Sequence, residues 1–260
     1  MTMARLQPGD IEAIERATLI AVAPQWVDTL EDDATWLLPM DTGTVTRAKS
    51  AVPLRHDIAP PEPAELLQRT EARYAARNLP TLFRLADVAC FEGLVETLAR
   101  HGYQALKPTV TQAGTSRAMA ALGRGEPAQV DAAPDAGWKS VFLGPGFDPV
   151  DGASRVQALT RGSSNLFASV RENGVTVAAG AMSFGHGWAS VHGMRTDQSA
   201  RGRGLAGRVL AGLAQAALAR GFERVFLQVE AGNEPALALY RRAGFVSAWT
   251  YRYWQRPAPH

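Results

Sequence analysis

The stretch Arg201-Gly202-Arg203-Gly204-Leu205-Ala206 joins an apolar strand-like run, Trp188 to Met194, to a helical pattern from Leu205 to Arg220. A glycine-rich turn between a strand and a helix is a cradle for phosphate. The first N–H groups of a helix have no intrahelical partner, and the helix dipole adds partial positive charge there. Glycine lets the backbone approach an anion closely. The side chains of Arg201 and Arg203 are expected to add charge to the same anion, with a solvated surface arginine as the alternative for Arg203. A second series follows at fixed spacing: Asn233, Ala236, Leu239, Tyr240, Gly244 and Phe245. His192 lies in the strand before the loop and is of a type that titrates near neutral pH, although a histidine in an apolar strand is more often a packed core residue. Gln228 and Glu230 share a face of the next strand by period-two alternation.

These two series resemble the GNAT superfamily, acyltransferases that use acetyl-CoA. Arg201, Gly204 and Ala206 fit its pattern Gln/Arg-x-x-Gly-x-Gly/Ala. Asn233, Ala236, Leu239, Tyr240, Gly244 and Phe245 fit a second one, Asn-x-x-Ala-x-x-Leu-Tyr-x-x-x-Gly-Phe. The resemblance covers roughly Gly137 to Gln255. It implies an α/β (α+β) fold, a mixed, mostly antiparallel sheet flanked by helices. It implies that the backbone of Met194, Arg195 and Thr196 runs along the pantetheine arm of the cofactor like an added strand. Arg201, Gly202, Arg203, Gly204, Leu205 and Ala206 are then expected to donate N–H groups to the pyrophosphate. Asn233 is expected near the cofactor arm, a role compatible with capping the next helix.

By the same resemblance Tyr240 is the expected general acid. Aminolysis of a thioester expels a thiolate, which a nearby phenol can protonate or hydrogen-bond; the alternative is a core tyrosine. His192 is the candidate general base, since arylalkylamine N-acetyltransferases carry a histidine at the matching strand position. Some bacterial ribosomal-protein acetyltransferases carry a glutamate where Gln228 stands. Glutamine cannot act as a base, which leaves Glu230 or a water chain as substitutes. The family often has valine at the place of Thr196 and proline at that of Gln198. The implied reaction moves an acetyl group from acetyl-CoA to a primary amine by direct attack in a ternary complex. The acceptor would be a small-molecule amine, an amino acid or a peptide amine. The alternative is a non-catalytic CoA-binding or regulatory protein of the same fold.

The elements that position these residues read clearly in the second half. Leu166–Arg171 and Val175–Phe184 are strand-like runs around Asn173-Gly174, a strong hairpin turn signal. Trp188–Thr196, Arg224–Glu230 and Phe245–Trp254 read as further strands, and Glu234–Arg242 as a helix with Pro235 in its first turn. The first half contains a fainter copy. A helical run, Ala64–Arg77, precedes Thr81–Leu85, and a second helix, Phe91–Arg100, leads to Gly102-Tyr103. Phe226 follows Phe83 by 143 residues and Gly244 follows Gly102 by 142, as in a repeat with one small length change. The position matching Arg201 is Ile58, followed by Ala59-Pro60-Pro61, and Leu98 stands where Tyr240 stands, so one cofactor site per chain is expected. The division expected is a degenerate GNAT-like domain over 1–112, a flexible linker over 113–136 with a short helix near Ser116–Leu122, and a catalytic domain over 137–256. Trp26, Trp36 and Arg47 are candidates for the wall of the acceptor pocket.

At 260 residues, 46% hydrophobic and 20% charged, the composition is that of a soluble globular protein. The net charge is +2 and the arginines are spread along the chain, which speaks against nucleic acid. The single cysteine, Cys90, excludes an intrachain disulfide and a cysteine metal cluster. No signal-peptide pattern and no apolar run of membrane-spanning length occur, so a cytoplasmic monomer or homodimer without membrane or metal is expected.

Overall fold

The computed structural model describes residues 6–30, 35–122 and 124–257. In chain order its elements are α1 (Pro8–Val22), β1 (Trp26–Leu30), β2 (Trp36–Met40), β3 (Val52–Pro53), α2 (Pro63–Ala75), β4 (Leu82–Ala86), α3 (Glu92–Arg100), β5 (Gln104–Thr115), α4 (Ser116–Ala121), β6 (Gln129–Asp131), α5 (Ala136–Leu143), α6 (Pro149–Arg161), β7 (Leu166–Glu172), β8 (Val175–Gly185), β9 (Trp188–Thr196), α7 (Leu205–Ala219), β10 (Arg224–Glu230), α8 (Glu234–Arg242) and β11 (Val246–Gln255). A short 3-10 turn, Thr46–Ala48, lies between β2 and β3.

Local chemistry accounts for the elements around the site. Asn173 and Gly174 both take positive φ, 50° and 80°, the geometry of a two-residue turn that matches strand twist, and they close the β7–β8 hairpin. Asp148 caps α6 by accepting from the N–H groups of Val150 and Asp151, with Pro149 in the first turn. Asn233 caps α8 in the same way, accepting from Ala236 at 3.3 Å.

Eight strands form one sheet in the order β4-β11-β5-β10-β9-β8-β7-β6. Every neighbouring pair is antiparallel except β9 and β10. A three-stranded sheet, β1-β2-β3, joins it through a parallel bridge between Ala51 and Phe83. That bridge has a counterpart in the second half, where Ser190 pairs in parallel with Phe226, the residue that follows Phe83 by 143.

The sequence expectation of a flexible linker over 113–136 is corrected here. Residues 113–115 are the end of β5, and the segment also holds α4 and β6, with the short helix near its expected place. Ala113 and Met119 are fully buried. The reason is an exchange of strands. β5, from the first half, lies between β10 and β11, while β11, from the second half, pairs with both β5 and β4. A boundary at residue 112 therefore falls inside a strand that the second half needs to complete its sheet.

The two faces of the sheet are covered by different helices. On one, α7 packs Val209, Leu210 and Leu213 against Ala168, Met182, Val191, Leu227 and Val229. On the other, α5 and α6 bring Trp138, Phe142 and Leu159 onto Phe167, Ala179 and Ala181, and α1 brings Ile14 and Ala17 onto Trp188, Phe226 and Ala113. Full burial of each large side chain contributes about 1.5–3 kcal/mol, so both layers hold the sheet that carries the site.

Candidate active site

β9 and β10 pair only through Val225–Ala189, Phe226–Ser190 and Leu227–Val191. Beyond Leu227 the strands separate. β10 stays paired to β5 as far as Glu230, and β9 stays paired to β8 as far as Thr196. The sheet opens between them into a cleft of about 1290 Å³ lined by residues 192–196 and 228–230. A bulge sits at its apex. Pairing with β8 passes from Ala181–His192 to Ala179–Arg195, so Gly193 and Met194 oppose the single residue Gly180. Gly193 has φ of 58°, and a Cβ there would lie 2.9 Å from Leu159 Cδ1 and 3.1 Å from Phe142 Cζ. A bulge interrupts the ladder and leaves backbone polar groups of β9 unpaired at the cleft.

The glycine loop closes one end. Arg201 N–H turns back to Gln198 O at 3.4 Å, but the next five N–H groups, Gly202 through Ala206, donate to no acceptor among the described residues. Gly202 and Gly204 have φ of 76° and 77°, which aligns this run ahead of α7. Five free donors at a helix N-terminus are a ready anion site.

Residues 139–245 match the model of the acetyltransferase (GNAT) family. They form a GNAT domain. A 62-residue stretch is 47% identical to the mycothiol acetyltransferase of Clavibacter michiganensis subsp. michiganensis; it spans 24% of this chain and 20% of that protein. The fold extends over the whole chain in solved structures. A GCN5-related N-acetyltransferase from Kribbella flavida superposes with a TM-score of 0.69 at 21% identity, covering 97% of both chains. A tandem GNAT protein from the clavulanic acid biosynthesis pathway does so with a TM-score of 0.60 at 12% identity, covering 98% of both. GNAT acetyltransferases generally use acetyl-CoA as acetyl donor.

Within the GNAT domain the cleft gathers most of the residues singled out by sequence. Met194, Arg195, Thr196, Arg201, Gly202, Gly204, Leu205, Ala206, Asn233, Tyr240 and His192 all line it. Arg203 does not contribute its side chain. It pairs with Glu172 at 2.8 Å, at the β7–β8 hairpin, and is not among the residues that line the cleft. Arg201 stays at the cleft, its Nε 3.4 Å from Thr196 O. Arg195 stacks over the Phe147 ring at 3.9 Å and approaches Asp151 at 3.5 Å, which ties β9 to α6.

Tyr240 is buried, its ring edge-on to Phe245 at 6.0 Å. Burial pushes its phenol up to about 12, so it keeps its proton throughout the physiological range. His192 is also buried. Its Nε2 lies 2.8 Å from Ser190 Oγ and its ring stands edge-on to Phe226. Burial, aided by the Arg47 cation, lowers it to about 3, so it is a neutral imidazole. Both amide atoms of Gln228 are buried without a hydrogen-bond partner.

Alternation assigns these groups to two sides. Phe226, Gln228 and Glu230 share the face covered by α1, whereas Leu227 and Val229 share the face of Tyr240 and α7. The cleft thus runs through the sheet from one face to the other. Of the first-half candidates, Arg47 lines it. Trp36 instead packs in the first-half core against Phe83 and Phe91, and Trp26 is half-exposed on β1 beneath Arg77. Phe147, Lys107, Thr109 and Tyr253 line the cleft and had not been singled out. Gly193, an isolated glycine inside a strand pattern, was a legible bulge signal.

Proposed function

We propose that this chain transfers the acetyl group of acetyl-CoA to a primary amine by direct attack within a ternary complex. The observation that carries this reading is the separation of β9 from β10 directly ahead of a loop with five unpartnered N–H groups. The residues present fit acetyl-CoA. The N–H groups of Gly202 through Ala206 would hold its pyrophosphate, the backbone of Met194, Arg195 and Thr196 its pantetheine arm, and Asn233 would stand beside that arm. When bound, acetyl-CoA supplies an activated acyl thioester.

The chain's own groups then divide the work. Backbone N–H released by the bulge at Gly193 polarises a carbonyl at the cleft apex. Tyr240 holds its proton on Oη and hydrogen-bonds sulfur as negative charge grows there. A phenol near 12 gives up its proton to a thiolate of ordinary pKa, about 8.5, only uphill, so its contribution is the hydrogen bond. His192, neutral and held by Ser190, acts as a hydrogen-bonding group rather than as the reservoir for the amine's proton. Glu230, exposed at the cleft, takes that proton directly or through water. Direct attack agrees with the place of the only cysteine. Cys90 lies in the first half, its Sγ 3.1 Å from His56 O, away from the cleft.

The first half is, in this reading, a degenerate copy that walls the acceptor side through Thr46, Arg47 and Lys107. Incubation with acetyl-CoA and a panel of primary amines tests the proposal. Release of CoA thiol with a matching acetylated product for at least one amine is expected. Thiol release at one slow rate with and without every amine contradicts it.

A further inference from the structure

Arg47 sits on the short turn Thr46–Ala48 and enters the cleft from the face that α1 covers. Its Nε is buried and has no hydrogen-bond partner. The groups packed against it are mostly neutral. They are the hydroxyls of Tyr251 and Tyr253, 3.4 Å from each other, and the imidazole of His192. One carboxylate is near, that of Glu15 on α1, but it is engaged with Arg84 at 2.5 Å, both side chains being about 1% exposed. Two guanidiniums therefore share one carboxylate beneath α1. Arg84 holds it, and Arg47, on the cleft side, has the two tyrosine hydroxyls as hydrogen-bond partners but no carboxylate of its own. A guanidinium cannot shed its proton to escape this situation, and a buried charge without a counter-charge is costly.

The cleft as a whole is poor in acid. Among the residues lining the whole cavity, Glu230 is the only carboxylate, against seven arginines and lysines. Some of that charge serves the phosphates of a CoA molecule, notably Arg201 beside the glycine loop. Arg47 is placed otherwise. Its neighbour His192 stands at the apex where the strands part and pairs with Ala181, three β8 positions from the Ala178 partner of Thr196, which is roughly 10 Å along the strand. It also belongs to the face opposite Tyr240 and α7. Gln228, with its unpartnered amide, shares that face.

We infer that the acceptor is a primary amine that also carries a carboxylate, and that Arg47 binds this carboxylate through its planar fork. The fork geometry of a guanidinium matches a carboxylate, Tyr253 supplies a neighbouring hydroxyl, and the Gln228 amide offers a further donor. Arg47 would thereby fix which end of the acceptor points to the apex. This rests on the acetyl-transfer reading and narrows its substrate class to amino acids and similar zwitterions.

The test uses bisubstrate thioethers of CoA, in which sulfur carries CH2–CO–NH linked to glycine, L-alanine, β-alanine or γ-aminobutyrate. Each is compared with its primary amide by calorimetric titration of the full chain. At least one acid is expected to bind about tenfold or more tightly than its amide. Arg47→Met should bring that pair level while acetyl-CoA affinity holds, and Arg47→Lys should keep part of the preference. Equal binding of every acid and amide, with acetyl-CoA still bound, overturns the carboxylate and leaves acetyl transfer standing. A preference that survives Arg47→Met overturns the role of Arg47. If acetyl-CoA itself does not bind, both readings fall. Should Arg47→Met not fold, the acid–amide comparison on the parent chain decides.

Discussion

Val191 and Leu227 are the last residues at which β9 and β10 face one another in register. One residue further, His192 and Gln228 belong to opposite walls of a cleft. A parallel pair in an otherwise antiparallel sheet has no hairpin to hold it closed. The strands diverge because each has a better partner on its outer side, β8 for β9 and β5 for β10. The bulge, the glycine loop and the two covered faces all take their positions from that point.

The bulge depends on Gly193. Its φ of 58° strains any side chain, and the Leu159 and Phe142 atoms within 3.1 Å of a would-be Cβ would have to give way. Gly193→Ala is expected to lower stability by about 1–3 kcal/mol and to reduce kcat more than acetyl-CoA affinity. Thermal denaturation beside steady-state kinetics measures both. A folded variant with parental kcat contradicts the assigned role of the bulge.

Tyr240→Phe removes a single oxygen from a buried ring. If the phenol hydrogen-bonds developing charge on sulfur, kcat should fall about 10²–10³-fold with acetyl-CoA binding retained. A phenol near 12 also implies that no alkaline limb of the rate profile below about pH 11 arises from Tyr240. Unchanged turnover in the variant removes Tyr240 from the mechanism.

His192 makes stability depend on pH in a definite direction. Its value in the folded chain, about 3, lies below the ordinary 6.5, so the unfolded chain binds a proton that the folded chain does not. The stability present above pH 6.5 is lost progressively as pH falls toward 3. His56, lowered to about 4 by burial and then by the Arg84 cation, acts in the same sense. Melting temperatures measured from pH 7.5 to 4.5 should decline, and His192→Gln should make the decline shallower. The rate profile of the parent should show no limb near 6.5 from His192. Such a limb, abolished by His192→Gln, would restore it as the base.

Much of the second half was legible because its signals are local. Asn173-Gly174 fixes a hairpin by backbone preference, and the Trp188–Thr196 and Arg224–Glu230 strands match the structure at both ends. The glycine loop ahead of α7 was legible for the same reason, since glycine positions and a helix start announce themselves. The exchanged strands were not. β5 contains Lys107-Pro108 and then Thr109, Thr111 and Gln112, a polar pattern that suits a strand only because β10 and β11 flank it. The face of Thr109 and Thr111 meets a polar layer that holds Tyr251 and Arg84, a relation between segments far apart in sequence. The surface alternative for Arg203 was legible but its partner was not, because Glu172 comes from a hairpin 31 residues earlier.

The most direct test of the central claim is a calorimetric titration of the parent chain and of Gly204→Glu with acetyl-CoA. Gly204 takes φ of 77° ahead of α7, and no atom lies within 4 Å of a would-be Cβ. A glutamate there strains the backbone and sets a carboxylate against the pyrophosphate. Binding by the parent and its loss in a folded Gly204→Glu is the expected result. Failure of the parent to bind acetyl-CoA, or equal binding by the variant, would contradict the assignment of this cleft and its loop.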